Sequence, residues 1–168
     1  PLGQSQVIPY LTGLTKFGYT FTLVSFDKPD KYIQYKEQVD NSLTGYPIRW
    51  ISLPYHKKPP VLSSAYDYWQ LKRCIRRIHR EKKVDIVHTR PGLPALAGLW
   101  MKKKLGVRFL NDIRGFWADE RVDGGMWHMG FFLYRWIYRF FKKQELDAVR
   151  LADYNTCLTH QAKEEIRS

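Results

Sequence analysis

VDIVHTRPGLPALAGLWMKKKLGVRFLNDI, residues 84–113, is the stretch that decides the fold. Its short apolar run at 84–88 predicts a buried strand. The segment 93–105 predicts a helix that ends at Gly106, because glycine is common just after the last helical turn. Residues 107–113 predict the next strand. A strand, a helix of crossover length and a second strand are typical of a parallel sheet.

Strand and helix patterns alternate along the rest of the chain as well. β-branched and aromatic residues predict further strands at 20–26, 48–53 and 152–158. Apolar periodicity predicts a helix in the segment 4–17, and further helices are predicted in the segments 31–39, 62–83, 131–151 and 160–166. The segment 114–130 is predicted to be a long loop. The predicted fold class is therefore α/β, a Rossmann-like, doubly wound parallel sheet with helices on both faces, in a single domain of residues 1–168.

Composition limits the class of protein and its partners. The 168 residues are 44% hydrophobic, which is enough for an ordinary core. Apolar runs fall short of the roughly 18 residues that cross a bilayer. Lys and Arg number 28 against 16 Asp and Glu, and the net charge of +12 favours nucleic acid, an anionic membrane face or a phosphorylated substrate. Cys74 and Cys157 predict reduced, packed thiols and a cytosolic location.

Both ends of the sequence are typical of a fragment cut from a longer chain. The chain begins with Pro1-Leu2-Gly3, without an initiator Met or a strand before the first predicted helix. It stops at Ser168, inside the last helical pattern. We therefore expect a fragment of a longer protein that lacks the first strand of its sheet.

Two strand-to-helix loops contain candidate binding residues, because doubly wound sheets bind ligands at the carboxyl ends of their strands. Gly3 and Gln4 precede the first helix, whose N-terminal amides would attract phosphate. His88 and Arg90 follow the strand at 84–88 and could contact an anionic group or a sugar. The alternatives are an ordinary helix start and a histidine that merely packs or lies at the surface.

The densest polar cluster is residues 111–123, with the sequence NDIRGFWADERVD. The carboxylates of Asp112 and Glu120 are candidate catalytic groups, because a carboxylate can bind a hydroxyl or accept its proton. Trp117 could stack on the apolar face of a sugar. The remaining candidates for substrate binding are Asn111, Arg114 and Asp119. The alternative is a salt-bridged loop in which Arg114 simply pairs with Asp119.

The order VDIVHTR–PGLPALAGL…LGVRFLNDIRGFWADERVD resembles the amino-terminal domain of family-four, retaining GT-B glycosyltransferases. The resemblance includes the PLGQS segment before the first helix and the helix end KFGYT, where Tyr19 replaces the histidine of the family. It covers nearly the whole chain, and its distinctive part is the stretch 112–123. The sequence departs from the family at Gly3, where many members have two glycines, and at Asn111, where many have histidine.

The resemblance implies a two-domain enzyme with its active site in the cleft between the halves. The amino-terminal half would bind the acceptor, and a carboxyl-terminal half that this chain lacks would bind the nucleotide sugar. Gly3 and Gln4 would lie near the donor diphosphate, and the acceptor side would map to 88–90 and 112–120. Neither a metal nor a cofactor is expected. The implied reaction moves a sugar from a nucleotide sugar to a glycan or lipid-linked acceptor, and the fragment alone is expected to be inactive.

The segment 131–143, FFLYRWIYRFFKK, predicts a second kind of surface. On a helical projection the cations Arg135, Arg139, Lys142 and Lys143 share one stripe, flanked by Phe131, Phe132, Trp136 and Tyr138. Leu133, Ile137, Phe140 and Phe141 are predicted to face the core. Rings beside cations are typical of a helix that rests on an anionic bilayer, here the inner face of the membrane. The alternative is a set of core aromatics beside a solvated basic face.

Two other functions fit the charge and the aromatic residues. A nucleic-acid-binding module would explain the net charge of +12, although the sequence contains neither RNP-type aromatics nor a helix-turn-helix pattern. A binding domain without catalytic activity is the third possibility. The family resemblance favours the enzyme domain over both of them.

Overall fold

The computed structural model describes residues 6–59, 61–160 and 163–164. Its strands are β1 (Phe21–Asp27), β2 (Ile48–Pro54), β3 (Ile86–Thr89), β4 (Arg108–Ile113) and β5 (Tyr154–Cys157). Its helices are α1 (Ile8–Thr15), α2 (Pro29–Leu43), α3 (Leu62–Glu81), α4 (Leu93–Leu105), α5 (Trp117–Asp123) and α6 (Phe132–Leu151). Strand pairing is parallel and the strands alternate with helices, so the predicted α/β class is confirmed.

The chain divides into two compact units, Pro1–Gln70 and Leu71–Ser168, with the boundary inside α3. The described strands form two parallel sheets, β1–β2 in the first unit and β3–β4–β5 in the second, where the sequence predicted one sheet. The predicted helix at 160–166 lies largely outside the described residues. The single domain of 1–168 stays a prediction.

The first unit is built on the pairing of β1 with β2, from Phe21 opposite Ile48 to Asp27 opposite Pro54. Its buried cluster joins Ile8 of α1 to Val39 and Leu43 of α2, with Ile48 and Trp50 of β2 packed against it. The hydroxyl of Ser52 donates a hydrogen bond to Asp27 across the two strands at 2.7 Å. Helix α2 begins at Pro29, whose fixed φ suits the first helical position.

The second unit has β4 at the centre of its sheet, between β3 and β5. Phe109 of β4 is completely buried and packs with Leu99 of α4 and Ala148 of α6. Asp153 accepts a hydrogen bond from the backbone N–H of Phe109 at 2.7 Å, which fixes the chain just before β5. The central strand is thus held on both edges and carries the candidate site at its carboxyl end.

The predicted loop at 114–130 is wrong in one respect, because it contains the seven-residue helix α5. The backbone N–H of Ala118, in the first turn of α5, donates to the carboxylate of Glu145 in α6 at 2.9 Å. That acceptor satisfies an N–H that would otherwise lack an intrahelical partner. A side chain 27 residues further along the chain therefore stabilises a helix that its own sequence does not predict.

Candidate functional site

The candidate site lies where β3 and β4 end. The two strands pair in parallel, with His88 opposite Leu110 and Thr89 opposite Asn111. Their carboxyl ends therefore meet at one edge of the sheet, where α/β proteins bind ligands. Arg90 follows β3 directly, and Asp112 lies near the end of β4.

Asp112 is buried, and both of its carboxylate oxygens contact neighbouring side chains. The Nε of Arg114 donates to Oδ2 at 2.8 Å, and the hydroxyl of Thr156 in β5 donates to Oδ1 at 3.1 Å. The Nε of Arg90 and the Nε2 of His88 each lie 3.8 Å from Oδ2. We call His88, Arg90, Asp112 and Arg114 the Asp112 cluster. The predicted residues of two separate loops thus come together around one carboxylate.

The cations of the Asp112 cluster reach solvent while its anion does not. The side chains of Arg90 and Arg114 are both 35% exposed, whereas that of Asp112 is 8% exposed. One carboxylate faces two guanidinium groups, so the surface presented to a ligand has an excess of positive charge. Guanidinium groups bind phosphate and carboxylate oxygens through paired N–H donors. The cluster is suited to an anionic group or to sugar hydroxyl oxygens.

His88 is held in its neutral form. Burial lowers the pKa of His88 below its ordinary value of 6.5, and the charges of Arg90 and Arg114 lower it further, while the carboxylate of Asp112 opposes them. A neutral imidazole has one nitrogen that accepts a hydrogen bond. At neutral pH the cluster therefore offers a hydrogen-bond acceptor next to two fixed cations.

Asp119, predicted to bind substrate, links α5 to α6 in the structure. It accepts hydrogen bonds from the hydroxyl of Tyr138 and from the Nζ of Lys142, both at 2.7 Å. Burial alone would raise the pKa of Asp119, but the hydrogen bonds from Lys142 and Tyr138 outweigh it and lower the pKa. The alternative pairing of Arg114 with Asp119 is wrong, because Arg114 pairs with Asp112.

Trp117 packs within an aromatic cluster of the protein itself. Its ring centroid lies 5.5 Å from that of Trp127 and 4.8 Å from that of Phe141. The guanidinium of Arg121 lies 4.6 Å from the Trp117 ring centroid. A Cβ added to Gly92 would lie 3.0 Å from the ring, so the loop after β3 also approaches it closely. These contacts favour a packing role, and the stacking of Trp117 on a sugar stays a prediction.

The other predicted site residues have different surroundings. Glu120 is exposed, and its Oε1 lies where a Cβ on Gly115 would be, so its carboxylate covers the turn after β4. Asn111 is buried, and its Nδ2 donates to Asn155 of β5 at 3.1 Å, a contact between strands. Gly3 and Gln4 lie outside the described residues. Glu120 is thus the predicted carboxylate that remains accessible near the Asp112 cluster.

Sequence reasoning missed Thr156 as a partner of Asp112. The two residues are opposite each other in the register of β4 and β5, yet 44 positions separate them along the chain. A correct pairing of the predicted strands would have been the signal. Among the residues that the structure describes, no three His, Cys, Asp or Glu side chains form a group that could hold a metal ion. Cys74 is buried, and Cys157 is partly buried.

The exposed face of α6 differs in part from its prediction. Phe132 and Trp136 are 79% and 66% exposed, and Phe131, Arg135, Arg139 and Lys143 are exposed with them. Leu133 and Phe140 were predicted to face the core, but they are 45% and 41% exposed, because the buried side of α6 is the narrow face around Ile137 and Ala148.

The position of Lys142 is the second difference between the prediction for α6 and the structure. The sequence predicts it on the open basic stripe, yet its Nζ lies 2.7 Å from Asp119 and 3.7 Å from Glu145. Burial alone would lower the pKa of Lys142, but the hydrogen bond to Asp119 outweighs it and raises the pKa. We call Phe131, Phe132, Arg135, Trp136, Arg139 and Lys143 the α6 surface. In the part of the chain that the structure describes, no helix has the length and apolarity to cross a bilayer.

Parallel strands alternating with helices, with a polar site at the strand ends, define the class of Rossmann-like ligand-binding domains. The model of the family described as Glycosyltransferase Family 4 matches residues 6–168, and the chain belongs to this family. The resemblance to the amino-terminal domain of GT-B enzymes is confirmed. A comparison with curated proteins found no match.

Proposed function

We propose that this glycosyltransferase-family chain is the acceptor-side domain of a retaining enzyme. The enzyme transfers a sugar from a nucleotide sugar to a glycan or a lipid-linked acceptor, without a metal or cofactor. The Asp112 cluster supports this proposal most strongly, because its two arginines, its carboxylate and its neutral histidine converge at the carboxyl ends of adjacent strands. The donor would be held mainly by the carboxyl-terminal domain that the family resemblance implies, so the chain alone would be inactive.

Each residue of the Asp112 cluster has its own proposed role in binding the substrate. Arg90 and Arg114 bind anionic or hydroxyl oxygens of the substrate, and His88 accepts a hydrogen bond from a hydroxyl. Asp112 was a candidate catalytic group, but its hydrogen bonds to Arg114 and Thr156 suit a positioning residue that orients the cations. Glu120 is the carboxylate proposed to contact an acceptor hydroxyl, with Gly3 and Gln4 near the donor diphosphate.

The test is sugar transfer by the enzyme that contains this domain, measured with a panel of UDP-, GDP- and ADP-sugars. Arg114→Ala removes a charged donor, and we expect kcat/KM to fall about 10- to 100-fold. Arg108→Ala is the matched control, because Arg108 is an exposed arginine at the opposite end of the same strand. Equal transfer by the Arg114→Ala variant and the parent enzyme would contradict the assignment of the site.

The same measurements separate the enzyme from the alternative binding modules. Fluorescence anisotropy with labelled DNA and RNA at physiological salt tests the nucleic-acid alternative. Tight binding that weakens steeply as salt rises, together with no transfer from any nucleotide sugar, would favour a nucleic-acid-binding module. Binding of nucleotide sugars without transfer in the presence of both domains would favour a domain without catalytic activity.

We propose further that the α6 surface contacts an anionic membrane, which places the protein at the inner, cytoplasmic face. The observation behind this proposal is the exposure of Phe132 and Trp136 beside Arg135 and Arg139. Apolar rings insert at the level of the headgroups, while each nearby cation adds about 1 kcal/mol of attraction to an anionic leaflet. A surface of this kind would bring the domain to a lipid-linked acceptor.

Sedimentation with lipid vesicles tests the membrane proposal. We expect binding to vesicles that contain phosphatidylglycerol and little binding to phosphatidylcholine alone. The double substitution Arg135→Gln and Arg139→Gln is expected to weaken binding about 10- to 30-fold. Phe17→Ser is the control for loss of an exposed ring, since Phe17 is 78% exposed and lies outside α6. Unchanged sedimentation of a Phe132→Ser, Trp136→Ser variant would count against the α6 surface.

A further inference from the structure

Outside the Asp112 cluster, the first unit contains a second group of polar and aromatic side chains. His56 follows the carboxyl end of β2, while Tyr66, Asp67 and Trp69 lie in the first turns of α3. We call these four residues the His56 cluster. The position after a parallel strand is the kind of loop where α/β proteins bind ligands.

Asp67 fixes the orientation of His56. Asp67 is 1% exposed, and both of its oxygens bind the same residue. Its Oδ1 lies 2.5 Å from Nδ1 of His56, and its Oδ2 accepts the backbone N–H of His56 at 3.1 Å. A buried carboxylate is costly unless it is hydrogen-bonded, so this double contact is a strong constraint on the ring.

The contact with Asp67 also decides which nitrogen of His56 can accept a hydrogen bond from a ligand. In the neutral ring the carboxylate favours the proton on Nδ1, which donates a hydrogen bond to it, and Nε2 is then a hydrogen-bond acceptor. The His56 side chain is 39% exposed, so the ring is accessible from solvent. The geometry provides an oriented acceptor for a hydroxyl donor.

Tyr66 and Trp69 form an aromatic platform beside this acceptor. The His56 and Tyr66 rings meet edge to face with centroids 5.2 Å apart. Tyr66 and Trp69, three positions apart on α3, are stacked with centroids 5.9 Å apart and planes 24° apart. Each is about half exposed, at 50% and 51%. Half-exposed aromatic rings suit a ligand that has an apolar face of its own.

We propose that the His56 cluster is a saccharide-binding subsite. A sugar ring lays its C–H face on the platform of Tyr66 and Trp69 and donates a hydroxyl hydrogen bond to Nε2 of His56, while Asp67 positions the imidazole. A neutral hexose matches this chemistry, since it combines an apolar face with hydroxyl donors. The identification of this sugar as part of the acceptor rests on the proposed glycosyltransferase function.

Saturation-transfer NMR on the full chain tests the subsite, with the methyl glycosides of glucose, galactose, mannose and N-acetylglucosamine as probes. We expect at least one glycoside to bind, and Trp69→Ala to weaken its binding about five- to tenfold. Phe17→Ala is the matched control, because it removes another highly exposed ring of the same unit and is expected to leave binding unchanged. Equal binding by the Trp69→Ala variant and the parent chain overturns the proposal.

The proposal that Asp67 positions His56 is tested by finding which ring nitrogen of His56 carries the proton. The ¹⁵N chemical shifts of the His56 ring, measured at a pH where it is neutral, distinguish a proton on Nδ1 from one on Nε2. We expect the Nδ1–H form in the parent chain and a shift toward the Nε2–H form in Asp67→Asn, with weaker glycoside binding. The Nε2–H form in the parent chain overturns the assignment. His56→Gln changes a partly exposed residue, so it gives a second measurement of glycoside binding that leaves the buried Asp67 unchanged.

Different results would overturn the saccharide subsite and the proposed glycosyltransferase function. Sugar transfer that proceeds normally in the Trp69→Ala and His56→Gln variants overturns the acceptor subsite and leaves the proposed enzyme intact. Glycoside binding that depends on Trp69, in an enzyme that transfers from none of the nucleotide sugars, overturns the proposed enzyme and supports a saccharide-binding site.

Discussion

The charge of Asp112 acts on the protonation of His88. Burial lowers the pKa of His88, and the carboxylate of Asp112 raises it against the charges of Arg90 and Arg114. Asp112→Asn removes that opposing charge, so we expect the pKa of His88 to fall further below 6.5. An NMR titration of the imidazole C2 proton measures the change.

Asp119→Asn is the control for this titration. It removes a carboxylate from the same segment of chain, but Asp119 is hydrogen-bonded to Tyr138 and Lys142 of α6. We therefore expect His88 to titrate as in the parent protein. A rise in the pKa of His88 in the Asp112→Asn variant would contradict the assignment of Asp112 as a charge that raises it.

At the scale of single elements, α5 shows why sequence patterns fail for short helices. Gly115 precedes α5 and Gly124 follows it, and glycine with charged residues is typical of a loop. The helix depends on α6, through Glu145 at the N–H of Ala118 and through Lys142 at Asp119. Such contacts join residues that a local pattern cannot relate to each other.

Lys142→Met tests the link between α5 and α6. The substitution keeps an unbranched side chain but removes the ion pair with Asp119, and partly exposed pairs of this kind contribute about 0.2–1 kcal/mol. We expect a loss of about that size in the free energy of unfolding, measured with urea. Lys143→Met is the control on the next residue, which is exposed, and its effect is expected to be smaller. Equal losses in the two variants would contradict the ion pair as the cause.

Helix α4 lies against the sheet of the second unit at Gly98. A Cβ added there would be 2.6 Å from Cε2 of Phe109 and 2.8 Å from Cγ2 of Thr89. Gly98→Ala is therefore expected to destabilise the protein by about 1–3 kcal/mol, because a packed core resists added volume. Thermal unfolding measures the effect.

Gly13 supplies the matched control for this substitution. It also lies in a helix, α1, but a Cβ added there would meet no atom of another described element within 4 Å. Gly13→Ala should be neutral or stabilise the protein by up to about 1 kcal/mol, since alanine favours helices. Destabilisation of equal size at both positions would show that the packing of α4 on Phe109 is not the reason.

At the scale of the whole molecule, the sequence predicted the fold class because the strand and helix patterns are strong and evenly alternating. It also predicted the neighbourhood of the site, since the carboxyl ends of parallel strands meet at one edge. It failed where burial depends on contacts across the fold. Leu133 and Phe140 are exposed because only a narrow face of α6 is covered, and the pattern alone does not show how wide the covered face is.

The stability of the molecule should depend on the protonation of His88. The pKa of His88 is lower in the folded protein than its ordinary value of 6.5, so the unfolded chain binds more protons between the two values. The free energy of unfolding therefore falls as pH is lowered through about 6.5 toward the folded pKa. We expect His88→Gln to reduce this part of the loss, measured by urea unfolding between pH 7.5 and 5.

His128→Gln provides the comparison for the pH series, because it replaces an exposed histidine. Its profile is expected to follow that of the parent protein over the same range. A His88→Gln profile with the same slope as the parent would contradict the assigned shift of the His88 pKa.

Several side chains contact Asp112 at once, so the negative and positive charges of this site cannot exchange positions. An isolated pair such as Arg77 and Glu81, one helical turn apart at 3.6 Å, can exchange its two residues and keep its attraction. Exchanging Asp112 with Arg114 would instead set an arginine against Arg90 and beside His88, and would leave Thr156 without its acceptor. A charge swap, the usual repair for a broken ion pair, therefore cannot restore this site.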